Sequence, residues 1–209
     1  MIAPVTAAPR ARRSQEQRSA ETRERLIVAA IECIERVGYV DATTTLIVEH
    51  ANVSRGALQH HFATKADLIV AVIDRVSEEL NLRFDVAALA AAPLEERVAA
   101  IVDGYWDVFM GPSFRAVLGI SLSIGGEPAL AARLAACLDE ARESYGIVWH
   151  ELFRDAGRSD AELAAIRRVV MSAARGFGVL KMLQPNGDHD RDRKTLHHIA
   201  LRELRNGSR

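Results

Sequence analysis

Three capping signals close together, Thr43, Ser54 and Thr64, constrain this chain more than anything else in its 209 residues. Thr43 is placed as the N-cap of a very short helix through His50, and Ala51, Asn52 and Val53 form a tight turn. Ser54 caps a second short helix through about Phe62, and Thr64 caps a third helix, which is long. On that third helix Ile69, Val72, Val76, Leu80 and Phe84 share one side, and the spacing carries it toward the alanine-rich approach to Pro93. Two short helices on a tight turn, followed by a long one, describe a helix-turn-helix, in which the second helix enters the major groove of duplex DNA.

The residue types suit that geometry. On the helix 54–62, Leu58 and Phe62 are four residues apart and face inward, which turns Arg55, Gly56, Gln59 and His60 outward. Arginine can take guanine bidentately and glutamine can take adenine, while glycine lets the backbone approach closely. Thr43, Thr44 and Thr45 at the start of the preceding helix, with Ser54 and Lys65 at the next two helix starts, supply hydroxyls, N-terminal amides and a positive charge for phosphates. His60 and His61 are adjacent, so their side chains diverge by about 100° and make a poor metal chelate.

Helical periodicity extends through the rest of the chain. A helix from Ser19 presents Leu26, Ala30, Cys33 and Val37 with Ile27, Ile31 and Ile34, and stops at Gly38. Pro93 restarts a helix carrying Leu94, Val98, Ile101, Tyr105 and Val108, which Gly111 and Pro112 end. A shorter helix over 114–122 runs to the Gly125-Gly126 break, and a long one then carries Leu130, Leu134, Cys137, Tyr145 and Leu152 toward Gly157. Ser159 caps a helix over 160–183 that is apolar on more than one side and so needs neighbours on both. After a turn at 184–187, the last helix over 190–204 has Leu196, Ile199, Ala200 and Leu204 in one stripe. No segment alternates well enough to be a strand, so an all-α fold of about nine helices is expected.

Composition narrows the classes of function. Apolar residues make up 49% of the chain, enough to bury a real core, which excludes disorder. No apolar run reaches the ~18 to 20 residues of a membrane span, and the start does not read as a secretory signal; a soluble, cytoplasmic protein without membrane contact is expected. Cys33 and Cys137 sit far apart in apolar helical patterns and read as packing, with no metal site or cofactor implied. Net charge is -1, yet residues 1–65 hold nine Lys+Arg against seven Asp+Glu, whereas 66–209 hold eighteen against twenty-one. The sign contrast points weakly to nucleic acid at the N-terminal end. Residues 1–18, with Arg10, Arg12 and Arg13, read as a flexible basic arm. His197 and His198, near Asp190 and Asp192, lack the paired spacing of a metal site.

The stretch from Thr43 to Leu68, TTTLIVEHANVSRGALQHHFATKADL, together with the preceding helix and its Gly38, closely resembles the DNA-binding region of TetR-type (TetR/AcrR) transcriptional regulators over about residues 19–70. The family usually has glycine where Asn52 stands, a position where asparagine tolerates a left-handed backbone. It usually has an aromatic residue, mostly tyrosine, where Gln59 stands, so that tyrosine's phosphate contact is not carried over. The resemblance implies a three-helix DNA-binding domain over 19–65 and a helical effector-binding and dimerisation domain over 66–209. The implied partners are a double-stranded, palindromic operator, a small-molecule effector and a second copy of the chain.

Two groups of residues in the C-terminal part become candidates on that basis. Trp106, Phe109, Met110, Phe114, Leu118, Tyr145, Trp149, Phe153 and Met171, with the polar His150 and Arg175, are candidates to line an effector pocket, although each is individually an ordinary core residue. Arg175 suits either an acidic effector or an ion pair near a dimer interface. Ile166, Val170, Phe177, Leu196, Ile199 and Leu204 are candidates for that interface, with Gly176 and Gly178 allowing close helix approach. The expected function is a ligand-responsive regulator, most often a repressor in this family, released by a largely apolar effector. The alternatives are a constitutive DNA-binding dimer and a helical enzyme. Against the enzyme, the sequence has no nucleophile elbow, phosphate-cradling glycine loop, zinc-spaced histidine pair or Cys-His signature.

Overall fold

The computed structural model describes residues 15–81 and 85–205, and every regular element among them is helical. Helix α1 spans Gln15–Asp41, starting ahead of the Ser19 expected from periodicity. Gln15 to Arg18 are therefore helical; the remainder of the basic arm, 1–14, lies outside the described residues. Leu26, Ile27, Ala30, Cys33 and Ile34 bury the α1 stripe. Gly38, at φ +83° and ψ +164°, leaves the helical conformation and breaks α1 at the stop expected there, with only a short helical stretch, 39–41, beyond it.

The next two helices keep their expected bounds, α2 over Thr44–His50 and α3 over Arg55–His61. Helix α4 is described over Lys65–Asn81 and does not run on to the approach to Pro93, since Asp85 already caps the next helix. A separate short helix α5, Val86–Ala90, follows, capped by Asp85, whose carboxylate accepts from the Ala88 amide at 3.1 Å. This extra helix hides in the sequence because its alanine-rich run shows no stripe, and it makes ten α-helices among the described residues. The sequence placed Phe84 on α4, a position outside the described residues, as is the side chain of Leu80. Then come α6 (Leu94–Phe109), α7 (Pro112–Ser123), a 3₁₀ turn (Ile124–Gly126), α8 (Pro128–Phe153), α9 (Asp160–Leu183) and α10 (His189–Arg205). Helix α9 starts in a capping box, in which Ser159 Oγ accepts from the Glu162 amide and the Glu162 carboxylate accepts from the Ser159 amide. No single helix among the described residues is long and apolar enough to cross a membrane.

Two apolar clusters hold these helices together, and their division does not fall at residue 65. The first joins α1 to α4 with Ala116 and Ile120 of α7, Ile124, and Leu130, Leu134 and Cys137 from the first half of α8. The second joins α6, the second half of α8, α9 and α10 around Tyr105, Trp149, Phe153, Met171 and Leu196. Fully buried side chains such as Ile27, Ile47 and Leu68 each contribute roughly 1.5 to 3 kcal/mol to the first cluster. Helix α7 belongs to both, since Phe114 and Leu118 on its other face meet the second.

Candidate functional site

Local capping sets the aim of the short helices. Thr43 Oγ1 accepts from the Leu46 amide at 3.2 Å and Ser54 Oγ from the Ala57 amide at 3.1 Å, fixing where α2 and α3 begin. Between them Asn52 takes φ +50°, the left-handed conformation that asparagine tolerates. Thr64 and Asp67 cap α4 reciprocally: Asp67 accepts from the Thr64 amide and hydroxyl at 2.9 Å each, and Thr64 Oγ1 accepts from the Asp67 amide at 3.1 Å.

Leu58 and Phe62 are buried, so Ser54, Arg55, Gly56, Gln59 and His60 all stand exposed on one side of α3. Arg55 Nη2 donates to Thr45 Oγ1 at 3.0 Å, which ties the reading helix to the start of α2 and holds the guanidinium in place. Thr43 is exposed, whereas Thr44 and Thr45 are half-buried. His61 stacks edge-on against His60 with centroids 5.2 Å apart, and burial, then the neighbouring charges of His60 and Arg23, lower its pKa. It packs instead of pairing with His60 around a metal.

Lys65 makes its contacts in this structure within the protein. Its Nζ donates to the Tyr39 carbonyl at 2.7 Å and lies 4.4 Å from the centre of the Tyr39 ring, and burial lowers its pKa. The ammonium is thus engaged inside the protein. Tyr39 in turn donates its hydroxyl to Glu127 Oε1 at 2.7 Å, and burial plus that carboxylate push the phenol up to about 12. The chain Lys65, Tyr39, Glu127 links the start of α4, the end of α1 and the start of α8. Sequence reading missed it because its members lie far apart along the chain and belong to no motif. Arg115 of α7 adds a second tie to α1, with Nε donating to Glu35 at 2.8 Å.

A cavity of about 510 Å³ lies between α4, α6, α7, α8 and α9, within the range of small-molecule sites. Of the eleven residues expected around a pocket, Phe109, Phe114, Leu118, Tyr145, Met171 and Arg175 line it. The other five stand elsewhere for identifiable reasons. Trp149 and Phe153 are fully buried against each other, ring centroids 4.7 Å apart, and the Trp106 ring packs on Phe177 at 5.4 Å. The Met110 carbonyl accepts from Arg115 Nη1 at 2.9 Å, and His150 is exposed beside Asp160 at 3.1 Å. The lining also includes Ile73, Val76 and Ser77 of α4, of which the sequence placed only Val76 on the helix's apolar stripe.

Helices α9 and α10 divide their apolar residues between two sides. Val170, Leu196 and Leu204 bury themselves in their own second cluster, with Ile166 and Phe177 half-buried against it. Among the six interface candidates only Ile199 is exposed; on the same helices Val169, Met182 and Leu183 are exposed as well. Gly178 is also used within the protomer, against the Phe109 carbonyl, whereas Gly176 faces open space. His197, which stood out beside His198, pairs with Asp103 at 3.0 Å.

Comparison with known proteins fits this architecture. Residues 26–72 match the family model of bacterial regulatory proteins, tetR family. The chain is 25% identical over 190 residues to the HTH-type transcriptional regulator CymR of Pseudomonas putida, spanning 90% of this chain and 94% of that protein. It is 29% identical over 189 residues to the HTH-type transcriptional regulator BetI 2 of Chromohalobacter salexigens, spanning 87% of each. Among solved structures, a TetR-family transcriptional regulator from Streptomyces coelicolor superposes with a TM-score of 0.68 at 23% identity, over 91% of this chain and 97% of that one. The exposed outer side of α3, the helical body behind it and these relatives together make the chain a TetR-like transcriptional regulator, in which residues 26–72 carry the DNA-binding region of bacterial regulatory proteins, tetR family.

Proposed function

We propose that this regulator is a repressor that binds a near-palindromic operator as a homodimer and releases it when a small, largely apolar effector occupies the cavity. Arg55, Gln59 and His60 read base edges, Gly56 lets α3 approach the groove, and Thr43, Thr44, Thr45 and Ser54 hold phosphates through hydroxyls and helix N-termini. The residues 19–65 act as the DNA-binding domain and 66–209 as the effector-binding and dimerisation domain, and the protein works in the cytoplasm.

The observation that carries the ligand-responsive reading is the double engagement of α7. Its Ala116, Ile120 and Arg115 meet α1, while Phe114, Val117 and Leu118 line the cavity. Helix α4 repeats the arrangement, with Lys65 at the helix-turn-helix end and Ile73, Val76 and Ser77 at the cavity, ~12 to 18 Å along its axis. A ligand that moves either helix displaces the reading helix, and a rigid palindrome with two half-sites tolerates little displacement. Linkage then requires that the effector and operator weaken each other by the same factor.

The test is titration of the purified protein against DNA from upstream of its own gene and against random DNA, with and without a metabolite extract. Sequence-selective binding that the extract reverses is expected. Arg55→Ala should cost about 1 to 3 kcal/mol on the selected site and relax its preference. Equal losses on selected and random DNA would remove Arg55 from base reading, and binding indifferent to every extract would leave a constitutive regulator.

A further inference from the structure

The cavity is apolar at its core and charged with one sign at its rim. Four arginines line it, Arg142, Arg167, Arg168 and Arg175, and among the described residues no aspartate or glutamate does. Arg142 is neutralised by Asp139 at 2.9 Å. Among the described residues the other three have no carboxylate partner: Arg175 lies over the Phe109 ring at 5.3 Å, and Arg167 makes only a 3.7 Å contact with Met171 Sδ. All three come from one side of α9, at a spacing that spreads them over two turns, ~12 Å of the cavity wall. Guanidiniums so placed repel one another and meet no compensating charge among the described residues.

A second observation points the same way. Tyr145 is 6% exposed, lines the cavity, and its buried hydroxyl has no hydrogen-bond partner among the described residues. An unpaired buried hydroxyl is costly unless something supplies an acceptor. Burial raises the phenol's pKa well above its ordinary value, so at neutral pH it is a donor. Ser172, between Arg168 and Arg175 on the same wall, adds another hydroxyl. Donors without acceptors and cations without anions describe the complement of a carboxylate, and Phe109, Phe114, Leu118 and Ile73 describe the complement of an apolar body.

We infer that the effector of this regulator is an amphipathic organic monocarboxylate, its apolar body among Phe109, Phe114 and Leu118 and its carboxylate held by Arg168, Arg175 and the Tyr145 hydroxyl. The inference rests on the ligand-responsive reading given above and specifies its ligand. Arginine matches a carboxylate bidentately in a way it cannot match an amide or a cation. The same cavity therefore discriminates against trimethylammonium compounds of the same body.

The test is calorimetric titration of the full-length protein with medium-chain alkanoates and alkyl-substituted benzoates, each beside its amide and its trimethylammonium counterpart. At least one carboxylate should bind about tenfold or more tightly than its amide, and the cation more weakly than either. Arg168→Gln with Arg175→Gln should bring the carboxylate down to the affinity of the amide. Both side chains are exposed, so the melting temperature of the unliganded protein should hold, and Arg191→Gln on α10 should change no affinity. Equal or tighter binding of an amide or cation, failure of every carboxylate to bind, or carboxylate binding indifferent to the double variant overturns the inference. DNA release is read separately. A neutral or cationic probe that binds the cavity and releases DNA keeps the regulator and overturns the anion, whereas an arginine-dependent carboxylate that never alters DNA binding keeps the site and overturns the switch.

Discussion

Gly178 stands directly against the carbonyl of Phe109: a Cβ on Gly178 would lie 2.3 Å from that oxygen and 3.1 Å from the Phe114 ring. This is where α9 crosses the end of α6, so the absent side chain sets the crossing, beside two phenylalanines that line the cavity. Gly178→Ala should destabilise the protein by about 1 to 3 kcal/mol through backbone displacement, lowering Tm by roughly 2 to 4 °C per kcal/mol. Gly176→Ala, which meets nothing within 4 Å, should instead be neutral or stabilising by up to about 1 kcal/mol. Thermal melts of the two variants check the contrast, and equal effects would deny the close approach.

Arg97 is the one charged residue in the buried core among the described residues, and it bridges α6 to the end of α8. Its guanidinium donates to the Leu152 carbonyl and to both Asp155 oxygens, at 2.7 and 3.0 Å. Arg97→Ala should therefore cost about 1.5 to 3 kcal/mol, the value of charge-assisted hydrogen bonds.

The same pair sets a pH dependence. Hydrogen bonding from Arg97 holds the Asp155 carboxyl below its ordinary 3.8. A depressed folded-state pKa gives stability that is fully present above the unfolded value and is lost as pH falls through 3.8 toward the lower folded one. Because Asp155 is largely solvated, the effect should be modest. Urea melts between pH 6 and pH 3 should show a steeper loss for the native protein than for Asp155→Asn; parallel curves would count against the pair.

What the sequence discloses and what it hides follow the range of the interactions. The bounds of α2, α3 and α9 were legible because each begins at a capping residue whose partner is three positions away. Asn52 was legible for a similar reason, since a tight turn constrains its own backbone. The split of α9 was not: apolarity on several sides says that two neighbours exist, but not that Val170 meets its own core while Val169 faces out. Nor could periodicity tell the cavity wall from the core. Trp149 and Phe114 are both aromatic residues of helical stripes, and it is the packing of the helices that puts Phe114 at the cavity and Trp149 against Phe153.

Lys65 gives a prediction opposite to the one its position at a helix start suggests. With Nζ bound to the Tyr39 carbonyl, it contributes to the joint between α1 and α4 and should release few counterions on DNA. Lys65→Met should lower thermal stability by about 1 kcal/mol or more and leave the salt slope of DNA binding within about half an ion of the native value. A slope reduced by about one ion at unchanged stability would restore Lys65 as a phosphate contact.

The last prediction concerns the face by which two copies meet. Leu183 is 76% exposed, Val169 60%, Met182 46% and Ile199 37%, an unusual concentration of apolar surface on two adjacent helices whose other sides are buried. Val170, Leu196 and Leu204 cannot take part without leaving their own core, so substituting them should unfold the protomer before it separates a dimer. Val169→Asp with Leu183→Asp leaves that core intact but places carboxylates where a partner would desolvate them. It should weaken association by about 3 kcal/mol or more, on the order of a hundredfold in Kd, while far-UV circular dichroism stays helical. Operator binding should fall with it, because a palindrome gains its affinity from two reading helices joined in one body. Light scattering at micromolar concentration separates the cases: a monomer that has lost operator affinity places the interface on this face, and a persistent dimer moves it elsewhere.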